Sequence, residues 1–141
     1  MMCASVTLCA LIAPIMMSSE LKKRERDVPD QTKLDRSGLV ALCAASAVVP
    51  DSPVQAIVNG FAYAVFNLDG RYYVTQDLCT HGPGSLAEGF VIDDEIECPF
   101  HQGRFHIPTG RASYAPCTEA LRTWTAREID GMLYIDPGET P

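Results

Sequence analysis

Two short segments, "CTHG" at 79–82 and "CPFHQG" at 98–103, each place a cysteine and a histidine within four residues and run into glycine. Sixteen residues separate His81 from Cys98. Thiolate sulfur and imidazole nitrogen together suit zinc or an iron–sulfur centre, whereas calcium and magnesium take oxygen ligands. Glycine lets the backbone turn sharply enough for its N–H groups to face a bound sulfur. Each segment reads as a loop presenting two side chains to one point, and any fold of this chain has to bring the two loops face to face. One such pair is weak evidence. Two in the same order, each in a turn, make Cys79, His81, Cys98 and His101 the candidate metal ligands.

The sequence around these loops calls for strands. From Leu39 onward, short apolar runs alternate with turn signals, which is the pattern of an all-β domain. In "FAYAVFNLDGRYYVTQ" two strand-like runs flank Asp69-Gly70, a dipeptide suited to the positive φ angles of a tight hairpin. Asp130-Gly131 joins "LRTWTAREI" to "MLYID" in the same way, Asp93-Asp94 separates "FVI" from "EIEC", and Thr109-Gly110 marks another turn. No stretch here sustains a helical period. At 141 residues, with 47% hydrophobic and 21% charged content, the chain has material for one packed domain.

Residues 1–38 differ in character. An apolar run over 1–17 carries Cys3 and Cys9 and is followed, not preceded, by the basic cluster "KKRER" at 22–26. An export signal has the opposite order, and the run is shorter than the roughly 20 residues a membrane-spanning helix requires. Residues 1–38 are therefore expected to be an extension and linker without a functional role, with Met17 a candidate start. A cleaved leader or an atypical anchor are the alternatives. The net charge of −7 divides into +1 for residues 1–38 and −8 for residues 39–141. An acidic body excludes nucleic acid as a partner, because phosphate binding needs clustered Lys and Arg, and it suits partners with basic patches.

The motif C-x-H followed by C-x-x-H, written "CTHG" and "CPFHQG", resembles the Rieske iron–sulfur proteins, in which two His replace two Cys on one iron of a [2Fe–2S] cluster. Within that family, "DLCTHGPGSLAEGF" and "CPFHQGRF" look most like the ferredoxin components of bacterial aromatic-ring-hydroxylating dioxygenases. The resemblance spans about residues 39–137 and implies an all-β Rieske fold, an antiparallel β base carrying a small cluster-binding subdomain over about 77–117. It implies one [2Fe–2S] cluster, with Cys79 and Cys98 on the inner iron and His81 and His101 on the outer. The third loop of the family corresponds to "SYAPC", with Pro116 covering the cluster.

Departures from relatives narrow the subtype. Respiratory Rieske proteins carry an extra cysteine in each loop, at positions held here by Gly84 and Phe100. They also carry a serine and a tyrosine, held here by Gly103 and Phe105, whose hydroxyls stabilise the reduced cluster. Their absence implies a potential toward the low end of the Rieske range, about −150 mV. With three histidines in the chain and two used, only His106 remains for a mononuclear iron site, so oxygen activation belongs to another protein.

The implied function is one-electron transfer from a flavin-containing ferredoxin reductase to a Rieske non-haem iron terminal oxygenase in aromatic hydrocarbon catabolism. The chain is accordingly expected to be a cytoplasmic component of that system, with no catalytic residues of its own and a membrane not expected among its partners. The alternatives are a small subunit of the nitrite-reductase type and a structural zinc module. Cys43 and Cys117 are expected to pack as small hydrophobes, Trp124 as core, His106 as a surface residue, and Asp93, Asp94, Glu95 and Glu97 as a solvated face. Removing residues 1–38 is expected to leave the cluster and its potential unchanged, as measured by redox titration of the truncated and full-length proteins.

Overall fold

The computed structural model describes residues 38–139. The expectations for residues 1–37, Cys3, Cys9 and Met17 among them, lie outside the described residues. Within the described residues the chain forms eleven strands and two short 3₁₀ turns, Ala45–Ala47 and Leu86–Glu88. The strands are β1 (Val40–Ala44), β2 (Val54–Val58), β3 (Phe61–Leu68), β4 (Arg71–Gln76), β5 (Phe90–Ile92), β6 (Glu95–Glu97), β7 (Arg104–His106), β8 (Ala112–Tyr114), β9 (Thr123–Thr125), β10 (Arg127–Ile129) and β11 (Met132–Ile135). They form three antiparallel sheets in the orders β1-β11-β10, β2-β3-β4-β9 and β5-β6-β7-β8.

The hairpins close where the sequence places them. Asp69 and Gly70, at φ +50° and +82°, join β3 to β4, and Asp130 and Gly131, at +51° and +77°, join β10 to β11. Both residues of each pair lie in the left-handed region, which matches the twist of the flanking strands. Asn59 and Gly60 make a third turn of this kind between β2 and β3. The run "LRTWTAREI" behaves differently from a single strand. It breaks at Ala126, so that β9 pairs with β4 while β10 pairs with β11 in another sheet. The break lets one segment serve both sheets of the base, and Ala126 itself packs on the core between them.

Strand β3 explains why the third sheet, β5-β6-β7-β8, does not stand apart from the other two. Side chains alternate across a strand, and Tyr63 and Val65 join the base core with Val40, Leu42, Val74, Trp124, Leu133 and Ile135. Ala64 and Phe66, on the other face, join Leu86, Ile96, Phe105, Ile107 and Leu121 beneath the third sheet. A strand buried on both faces reads as a continuous apolar run, as "FAYAVF" does. Phe66 is 1% exposed at this junction. Phe66→Ala is expected to cost about 3–5 kcal/mol of stability, read as a lower midpoint in chemical denaturation.

Candidate metal centre

The first loop leaves β4 and the second leaves β6, and the two are closed by the same device. The Cys79 N–H donates to the Gly84 carbonyl at 2.9 Å, and the Cys98 N–H donates to the Gly103 carbonyl at 2.8 Å. Each bond spans five residues and ties a candidate ligand cysteine to the glycine that ends its loop. Leu78 and Ser85 bridge below the first loop. In the second, the Gln102 N–H donates to the Cys98 carbonyl at 3.1 Å, with Gln102 at φ +58°. A third loop runs between β8 and β9, and the Thr80 hydroxyl ties the first loop to the chain beyond it by donating to the Glu119 carbonyl at 3.0 Å.

The predicted ligands meet as two like pairs, His81 with His101 and Cys79 with Cys98, and among the described residues no three of them converge on a single metal ion. The His81 and His101 rings meet edge to face with centroids 5.0 Å apart, and both are exposed. Cys79 and Cys98 are buried beneath them, at 5% and 2% exposure. Two sulfurs thus lie inside and two imidazoles outside. Gly82 brings the first loop against the second: a Cβ there would stand 3.7 Å from the His101 Cε1.

Burial pushes the Cys98 thiol up, the adjoining Cys79 sulfur adds to this, and the Phe100 and His101 N–H groups aimed at the Cys98 sulfur act in the opposite sense. Burial thus favours the neutral Cys98 thiol, and a bound metal would be what turns such a thiol into a thiolate ligand. The space around them is shaped as well. A Cβ on Gly84 would stand 2.8 Å from the Phe100 Cδ2 and 2.9 Å from the Cys98 Sγ, and a Cβ on Gly103 would collide with the Cys117 sulfur. Donor set, burial gradient and glycine-lined space fit an iron–sulfur cluster held by two thiolates and two imidazoles.

Other residues fall into place around this centre. The Phe100 ring packs over the backbone of Gly84. Phe105 is fully buried in the core beneath the third sheet. Cys43 packs at the edge of the base core and Cys117 is buried in the core beneath the third sheet. The Cys117 thiol is pushed up to about 12 by burial and by its neighbours Cys79 and Cys98, so the third loop reaches the site through Cys117, next to Pro116. Trp124 is core, edge to face with Tyr63 and Phe61. The acidic run is largely partnered. Arg104 meets Glu97 at 2.8 Å and Glu95 at 3.8 Å, while His106 lies between Asp94 at 3.1 Å and Thr109 at 2.7 Å. Sequence reasoning passed over Asp77, which is buried two residues before Cys79.

Such a site on an all-β scaffold defines the iron–sulfur proteins with mixed cysteine and histidine ligation. The model of the Rieske [2Fe-2S] domain matches residues 38–125, and the chain belongs to the Rieske family. The cofactor of that family is one [2Fe–2S] cluster. The chain is 36% identical over 110 residues to the ferredoxin component of the p-cumate 2,3-dioxygenase system of Pseudomonas putida, covering 77% of this chain and 93% of that one. The Sphingomonas yanoikuyae B1 ferredoxin superposes with a TM-score of 0.67 at 40% identity, covering 69% of this chain and 96% of that one. A chain from the complex of reduced oxygenase and oxidized ferredoxin in carbazole 1,9a-dioxygenase superposes at 0.66 with 36% identity, covering 74% and 96%. Gly84→Ala is expected to lose most of the bound iron and acid-labile sulfide, measured by iron and sulfide assay, while the β-sheet circular dichroism is retained.

Proposed function

We propose that this protein is a one-electron carrier, the ferredoxin component of an aromatic ring-hydroxylating dioxygenase system, and that Cys79, His81, Cys98 and His101 hold its [2Fe–2S] cluster. The observation that carries the reading is the gradient at the tip, buried sulfurs beneath exposed imidazoles, in a chain whose relatives are dioxygenase ferredoxins. The bound cluster supplies reversible storage of one electron.

The residues then divide the work. Cys79 and Cys98 would hold one iron from within, where burial keeps water from the sulfurs. His81 and His101 would hold the other from the surface side, leaving a short path for an electron to a docked partner. Neutral imidazole would leave its iron less electron-rich than thiolate does, which would favour the exposed side for the added electron. Leu78 and Phe100, at 58% and 59% exposure, flank the ligands in sequence and offer apolar contact around the two rings. The partners are a flavin-containing reductase that delivers electrons and a terminal oxygenase that receives them. Among the described residues no helix is long and apolar enough to cross a membrane. Residues 39–137 form the functional domain, and the cytoplasm is the compartment that keeps its free thiols reduced.

The nitrite-reductase and zinc readings have less support, because the family match is to a [2Fe–2S] domain and the relatives at 36% identity carry dioxygenase names. Cys79→Ser and Cys98→Ser are each expected to abolish the visible absorption and the reduced-state electron paramagnetic resonance signal. The intact protein is expected to couple a flavin reductase to oxygenase turnover in a reconstituted assay. A colourless protein containing zinc, or a cluster the oxygenase does not re-oxidise, would overturn the function.

A further inference from the structure

Asp77 is 3% exposed, and its carboxylate is fully bonded. Oδ1 accepts from the Ser85 hydroxyl at 2.9 Å and from the Ala87 N–H at 2.9 Å, and Oδ2 accepts from the Gln55 side-chain amide at 2.7 Å. The backbone of the same residue is tied on both sides: its N–H donates to the Ala62 carbonyl at 3.0 Å and its carbonyl accepts from the Leu86 N–H at 2.8 Å. One residue therefore anchors the start and the end of the first ligand loop to β2 and β3.

These bonds do not by themselves require a charge. An asparagine could accept from Ser85 and Ala87 through its oxygen, while its amide group met the oxygen of a turned Gln55 side chain. Burying a carboxylate costs far more than burying an amide unless a cation pairs with it. Among the described residues no Lys, Arg or His forms an ion pair with Asp77. What a carboxylate adds over an amide is a negative charge, held by three hydrogen-bond donors and by no cation, two residues before Cys79.

We propose that Asp77 is a positioning residue that both braces the first ligand loop and, through its fixed charge, biases the bound cluster toward the oxidised state. The inference rests on the reading that Cys79 is a cluster ligand. The sign follows from electrostatics: reduction adds one negative charge to the site, and a neighbouring carboxylate in a poorly screened interior opposes it. Asp77 thereby lowers the potential of the carrier, in the same direction as the missing hydroxyls at Gly103 and Phe105.

The test is redox titration of the holoprotein followed by electron paramagnetic resonance. Asp77→Asn is expected to keep the cluster and its g-values and to shift the reduction equilibrium about tenfold toward the reduced state, 59 mV upward for one electron. Gln55→Lys, at an exposed position on β2, keeps the donor to Oδ2, adds a compensating cation, and is also expected to raise the potential. If Asp77→Asn does not assemble a cluster, Gln55→Lys carries the test alone. Wild-type potentials in cluster-loaded variants would overturn the inference and leave Asp77 a brace only. A wild-type protein without a mixed Cys/His signal would instead overturn the ligand assignment.

Discussion

Everything at the tip of this molecule depends on closing two loops around sulfur. A cysteine N–H bonded to a glycine carbonyl five residues later leaves a tight arch, and two such arches face one another at the end of the third sheet. The closing glycines serve a second purpose, since a side chain on Gly84 would press on Phe100 and the Cys98 sulfur, and one on Gly103 on Cys117. Backbone closure and the space left for a cofactor are thus one constraint. It also sets the burial gradient, because an arch that turns its cysteine inward carries its histidine on the outside.

An electron carrier works best when its surroundings move little as the charge changes, and the arches gain rigidity from what lies beneath them. Strand β3 lends one face to the base core and the other to the core under the third sheet. Distorting the tip therefore disturbs residues such as Phe66, Ile96 and Phe105, which are almost completely buried. Asp77 continues this coupling in polar form, joining β2 and β3 to both ends of the first loop. Hydrophobic packing resists compression of the tip while directed hydrogen bonds fix the path of the loop.

The surface offers complementary features for protein partners. The body is acidic, which favours encounter with basic patches, yet much of the acidic run at residues 93–97 is engaged with Arg104 and His106. Leu78 and Phe100 are exposed large apolar groups next to the candidate ligands in sequence. Long-range charge and short-range apolar contact are thereby separated, an arrangement suited to complexes that form quickly and must also part.

The sequence by itself determined the ligand types, their order and the hairpin turns, because these depend on local chemistry. Sulfur and imidazole select the metal class, and Asp-Gly pairs at 69–70 and 130–131 adopt positive φ whatever surrounds them. Absent hydroxyls at Gly103 and Phe105 were equally legible, since they are identities. Tertiary structure alone decided that "LRTWTAREI" splits between two sheets, that β3 faces two cores, and that the Cys117 thiol comes up against Cys79 and Cys98. It alone decided that Asp77, an ordinary acidic residue in "TQDLC", is buried, because its side-chain partners lie 8, 10 and 22 residues away. Burial and charge compensation are properties of what the chain folds against, and no local pattern records them.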